Sequence, residues 1–140
     1  MIDKKLKNLF ADNFAVYTKA HSYHFNVVDY DFFEYHKLFQ EVYDYLYEQH
    51  DVLGELMRQN QIIVPADLRS ICEATVMDCE FPVPTAALKM VDELYKDIEM
   101  LIASAEDLYK ACDSAAVETV IGDYSVGLNK LCWFLRSSKK

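Results

Sequence analysis

All four histidines fall within the first fifty residues, at His21, His24, His36 and His50. Imidazole offers either a proton carrier near neutral pH or a neutral nitrogen ligand for a metal ion, although a single histidine is more often a hydrogen-bonded structural residue. The carboxylates further along the chain change that weighting. On one helix, Gln40, Asp51 and Glu55 lie about 40, about 60 and about 100 degrees round from His36, so the four share a face. They cannot share one cation within one chain. Fifteen residues separate His36 from Asp51, which is about 22 Å along a helix axis, whereas metal bonds to nitrogen or oxygen are about 2 Å long. A second copy of the helix, laid antiparallel across a twofold axis and crossing near Asp44, brings Asp51 and Glu55 of one subunit opposite His36 of the other. His24, just before a short connection, can fold back beside His36. The result is a two-histidine, two-carboxylate site between subunits, a ligand set that suits Fe(II) better than magnesium or calcium.

Helices must position these residues. The chain has 140 residues, 52% of them apolar, with three glycines and three prolines. That predicts one domain over 1–140 with a sizeable core, and supplies too few turn-formers for a sandwich or barrel. Leu6, Leu9, Phe10, Phe14 and Tyr17 recur at helical spacing, predicting a first helix from Asp3, as its cap, to about Asn26. A second helix runs from Phe32 to about Asn60. All the prolines (65, 82 and 84) fall between Gln59 and Pro84, which predicts a long crossover with a short helix over 66–74. A third long helix runs from about Pro84–Thr85 to Cys112, and a fourth from about Asp113, again as cap, to the C-terminal region. The expected fold is an all-α, ferritin-like four-helix bundle with its long connection between the second and third long helices. Conventional diiron bundles carry Glu-x-x-His motifs; this chain has none, as a site shared between subunits would predict.

A formal charge of −9 disfavours a chain-wide grip on nucleic acid or anionic lipid and favours cations as partners. No apolar run approaches the roughly 18 residues of a membrane span, and MIDKKLKNLFADNF lacks the apolar stretch of a secretory signal. Cys72, Cys79, Cys112 and Cys132 show no C-x-x-C spacing, so they read as reduced thiols packed in the core of a cytoplasmic protein.

The stretch ADNFAVYTKAHSYHFNV, the interval of 12 from His24 to His36, the interval of 15 from His36 to Asp51 and the Asp51-x-x-x-Glu55 pair together resemble the Dps-type mini-ferritins, the DNA-binding proteins from starved cells. The ending KLCWFLRSS resembles that family's last helix, so the resemblance spans nearly the whole chain. It implies a ferroxidase centre with His24 and His36 from one subunit and Asp51 and Glu55 from its twofold partner. It also implies a homo-oligomeric dodecamer that stores ferric oxide in a hollow shell, with hydrogen peroxide preferred over oxygen as oxidant. Two departures matter. Gln40 stands where family members often carry Asp, a weaker oxygen ligand on the side of a second iron. His24-Phe25-Asn26 replaces His-Trp-Asn and removes an indole that can trap oxidising equivalents; Tyr23, Tyr43 and Tyr47 are the tyrosines closest in sequence to the site, with packing at the dimer contact as their simpler role. His21 and His50 read as structural residues or supports of the ligands. Near the start of the last helix, Ala115, Ala116 and Thr119 occupy positions where the family's iron pores are acidic, leaving Asp113 and Glu118 as nearby candidates. For DNA the chain offers only Lys4, Lys5, Lys7, Lys139 and Lys140, so DNA ranks behind iron as a partner. The alternatives are a DNA-compacting shell with a weak metal site and a shell without oxidase activity.

Overall fold

The computed structural model describes residues 2–139, and these form five helices and no strand. They are α1 (Ile2–Asn26), α2 (Phe32–Gln59), the short α3 (Leu68–Ala74), α4 (Ala87–Ala111) and α5 (Ala115–Ser137). The all-α, ferritin-like bundle with a short helix in its long crossover is therefore present. Two short turns make α1–α2 and α4–α5 hairpins, and α1 packs on α4 and α2 on α5 to close the bundle.

Buried positions explain why these segments are helices. On α4, Val91, Leu94, Ile98, Leu101, Ala105 and Leu108 are buried, and on α5 Val117, Ile121, Tyr124, Leu128, Leu131 and Leu135. Steps of three and four residues keep each set on one stripe, which must be covered by a neighbour. Phe39, Val42, Leu46, Leu53, Leu56 and Met57 do the same for α2. The opposite face of α2, carrying Gln40, Asp44, Tyr47, Asp51 and Glu55, is left exposed.

Buried polar groups fix how the helices meet. Asn13, fully buried on α1, donates to the Leu46 carbonyl of α2 at 2.8 Å and accepts from the Tyr124 hydroxyl of α5 at 2.8 Å. Tyr45 in turn donates to the Tyr124 carbonyl, and its ring occupies the space where a Cβ on Gly127 would stand. Lys19 of α1 and Asp97 of α4 form a buried ion pair at 2.9 Å. The crossover is held by the buried Asp12, which accepts from Thr75 Oγ1 at 2.6 Å and from the Val76 amide at 2.9 Å. Satisfying such groups is a condition for burying them.

Helix ends depart from the predicted boundaries. Asp3 lies inside the first turn of α1 rather than capping it. Ser114, not Asp113, caps α5 by accepting from the Val117 amide, and α4 starts at Ala87 without a side-chain cap. Asp67 caps α3 through the Ser70 amide, so that helix starts at Leu68. α2 closes through Gln61 at φ 63°, with Ile62 and Gln61 amides returning to the Met57 and Arg58 carbonyls. This is the left-handed closure that usually selects glycine. The expectation of core cysteines fails for most of them: only Cys132 is buried, Cys112 is half-buried, and Cys72 and Cys79 are exposed on α3 and the crossover. Among the described residues, no helix is long and apolar enough to cross a membrane.

Candidate metal centre

The turn between α1 and α2 is tight. The Val27 amide returns to the Tyr23 carbonyl at 3.0 Å, Val27 is buried, and Asp29 accepts from the Asp31 amide at 2.9 Å. This brings the last turn of α1 against the second turn of α2. His24 and His36 then stack with ring centroids 3.6 Å apart and planes 17° from parallel. His24 Nδ1 lies 2.8 Å from the His36 carbonyl, and His36 Nδ1 lies 2.8 Å from the His24 carbonyl. A carbonyl only accepts, so both Nδ1 atoms carry hydrogen. In the neutral rings each Nε2 is then the lone-pair donor, the arrangement in which a backbone carbonyl fixes the tautomer of a metal-binding imidazole.

Aromatic rings enclose the pair. Phe32 stacks on His36 at 4.9 Å, and Tyr43 meets His24 edge-on at 4.9 Å. His24 is buried and His36 half-buried. Gln40, Asp51 and Glu55 are exposed on the outer face of α2, and a single unbroken helix from Phe32 to Gln59 keeps the carboxylates far from the two imidazoles. Among the described residues, no three His, Cys, Asp or Glu side chains of one chain converge as a metal site. The structure thus brings together His24 and His36, and leaves Asp51 and Glu55 on a surface beside His50 and Arg58.

The other two histidines are held differently. His50 lies between Phe10 and Phe14, at centroid distances of 4.2 and 4.6 Å, and its buried Nδ1 has no hydrogen-bond partner among the described residues. Burial pushes its pKa below the ordinary 6.5. His21 stacks on Tyr43 at 4.1 Å and on Phe25 at 4.4 Å, and its Nδ1 is 3.0 Å from the Tyr17 hydroxyl. Burial, followed by the neighbouring His24, lowers its pKa too. Tyr23 does not join this group: it is a core residue packed edge-on against Phe39 and Phe81, and burial pushes its pKa up to about 12. The sequence reading passed over Tyr17. Its spacing from His21 and His24, four and seven residues, would have placed all three on one helical face.

The ferritin-like domain family matches residues 3–137, and the chain belongs to it. Its fold is that of the Dps-type mini-ferritins. The crystal structure of antigen TpF1 from Treponema pallidum superposes with a TM-score of 0.93 at 22% identity, over 99% of this chain and 91% of that one. Dps from Vibrio cholerae, described as a member of a broad superfamily of ferritin-like diiron-carboxylate proteins, gives a TM-score of 0.92 at 21% identity over 99% and 89%. By sequence, a low temperature-induced protein of Nostoc is 28% identical over 132 residues, 91% of this chain and 73% of its own length.

Proposed function

We propose that the protein is a ferroxidase mini-ferritin: it binds Fe(II) between twofold-related subunits, oxidises it to Fe(III) with hydrogen peroxide, and stores the ferric product in a dodecameric shell. The observation that supports this reading is the reciprocal locking of His24 and His36, which commits both Nδ1 atoms to carbonyls and leaves both Nε2 atoms free to bind a ligand. Neutral imidazoles accept Fe(II) readily, and carboxylates favour the higher charge of Fe(III), so adding the partner's Asp51 and the partner's Glu55 makes a site that binds the substrate and stabilises the product. Consuming peroxide together with iron at one site keeps the two from reacting freely, which is the protective role. The acidic chain, at −9, draws cations towards the assembly.

Anaerobic Fe(II) loading followed by peroxide tests the proposal. Ferric absorbance rises faster than in buffer for the native protein and returns to the buffer rate for the double variant His24→Ala/His36→Ala. Equal rates for native protein and buffer overturn it. The DNA-compacting alternative rests on the terminal lysines, and a mobility shift at low salt that survives the double substitution favours it.

A further inference from the structure

Two of the four thiols stand together on the surface. Cys72 lies in the last turn of α3 and Cys79 in the crossover beyond it, and both are exposed. The seven residues between these positions would span about 23 Å if extended. Here the chain is turned back instead. Ile71 is buried and anchors α3, and the Thr75 amide returns to its carbonyl at 3.0 Å. Thr75 and Val76 are pinned to the buried Asp12, and the Met77 amide turns onto Thr75 Oγ1 at 3.0 Å. On the far side, Phe81 packs edge-on against Tyr23 with the Lys19 ammonium over its ring. The core thus holds both ends of the segment while its two sulfurs meet outside, the Cys79 thiol donating a hydrogen bond to Cys72. The other two cysteines take no part: Cys112 donates to the Tyr109 carbonyl, and Cys132 is buried on α5.

We infer that Cys72 and Cys79 are a redox-active dithiol, a site on the crossover at which hydrogen peroxide is reduced to water as the two sulfurs close to a disulfide. No metal enters this chemistry, so the inference stands apart from the ferroxidase reading. A thiolate is the nucleophile in such reactions. The hydrogen bond to Cys72, then burial and the charges of Asp78 and Glu80, push the Cys79 pKa up to about 11. Cys79 therefore keeps its proton, and Cys72, which receives the hydrogen bond, is the attacking sulfur. Having lost its proton to solvent, Cys72 attacks one peroxide oxygen; the O–O bond breaks, and the departing hydroxide takes up that proton as the first water. Cys72 is left as the sulfenic acid. The Cys79 sulfur then attacks it, the S–S bond forms, the S–O bond breaks, and the hydroxyl leaves with the Cys79 proton as the second water. Two electrons pass from the two sulfurs to one peroxide. Because the resolving thiol is already in contact, the sulfenic acid closes before a further peroxide drives it to the irreversible sulfinic acid. An external dithiol reopens the bond by exchange and resets the site.

The test treats the reduced, metal-free protein with hydrogen peroxide in the presence of a chelator. Thiols counted after denaturation fall from four to two per chain. The tryptic peptide spanning residues 70–89, which holds both cysteines, becomes lighter by two hydrogens and regains them with dithiothreitol. In Cys79→Ser the reaction stops at the Cys72 sulfenic acid, trapped by dimedone. The His24→Ala/His36→Ala variant closes the disulfide at the native rate, and Cys72→Ser/Cys79→Ser oxidises Fe(II) at the native rate, so the two sites are read separately. Circular dichroism of each variant confirms that the comparison is between folded proteins. Four thiols surviving peroxide overturn the inference. So do a linkage between chains rather than within one, sulfinic acid in place of the disulfide, a Cys79→Ser protein without sulfenic acid at Cys72, or a disulfide that forms only with iron bound. Each of these leaves the ferroxidase reading to its own test.

Discussion

Gln40 lies one helical turn beyond His36 on the exposed face of α2, and its amide offers an oxygen without a charge. In the proposed site, a carboxylate there would face a dication held by the two imidazoles. Gln40→Asp is therefore expected to tighten binding of a further Fe(II) by roughly tenfold, about 1.4 kcal/mol, seen as extra iron bound at equal free concentration in an anaerobic titration. An unchanged isotherm would remove this position from the site. The histidines behave differently because their roles are set by what holds Nδ1. His24 and His36 give theirs to carbonyls and free Nε2, His21 faces a phenol, and His50 is packed between two phenyl rings. Spacing placed His24 and His36 together, but the exchange of carbonyls depends on the path of the turn through Val27–Asp31, which no periodicity encodes.

Between elements, two buried acids tie α1 to its neighbours. Asp97 and Lys19 tie α4 to α1 with side chains only 12% and 9% exposed. Removing one partner strands the other charge in the core, so Asp97→Ala is expected to cost about 3–5 kcal/mol, while Lys19→Met with Asp97→Leu recovers most of it. Urea unfolding of the three proteins checks the order. Asp12 ties α1 to the crossover, and burial raises its pKa above 3.8, the two hydrogen bonds from Thr75 and Val76 lowering it only in part. A carboxyl whose folded pKa is raised contributes stability that is full below its unfolded pKa and is lost as pH rises through the folded one. The stability difference between the native protein and Asp12→Asn should thus be most favourable to the native protein in acid and shrink as pH climbs through the carboxylate range. A difference that grows over the same range would contradict the raised pKa. These elements also mark where the sequence is readable. Apolar steps of three and four residues on α4 and α5 announce the helices, because only a covered stripe accounts for them. Caps are less readable: Asp113 and Ser114 are adjacent and both able to cap, and local backbone geometry chose the serine. The exposure of Cys72 and Cys79 was hidden for a related reason. The crossover is shaped by hydrogen bonds to Asp12, and its packing follows no period.

At the scale of the assembly, the decisive property of the proposed site is that neither subunit owns it. This has a stoichiometric signature that no single-chain site shares. Consider one chain with His24 and His36 replaced by Ala and a second with Asp51 and Glu55 replaced by Ala. A twofold dimer contains two sites, each built from the imidazoles of one subunit and the carboxylates of the other. Homodimers of either variant have two defective sites. The mixed dimer has one site with all four ligands missing and one with all four present, since the intact imidazoles of the second chain face the intact carboxylates of the first. If the variants are unfolded together in equal amounts and reassembled at random, half the dimers are mixed, and about a quarter of all sites are intact. Peroxide-dependent iron oxidation should therefore recover to about a quarter of the native rate in the mixture, from a baseline near buffer for each variant alone, with native protein carried through the same unfolding and reassembly as the reference. Recovery must also require reassembly: mixing the two intact shells without unfolding should leave the rate at baseline, because subunits do not exchange sites across closed shells. A mixture that stays inactive although mass spectrometry shows mixed dimers would mean that Asp51 and Glu55 do not serve the partner's His24 and the partner's His36, and the exposed carboxylate face of α2 would need another purpose.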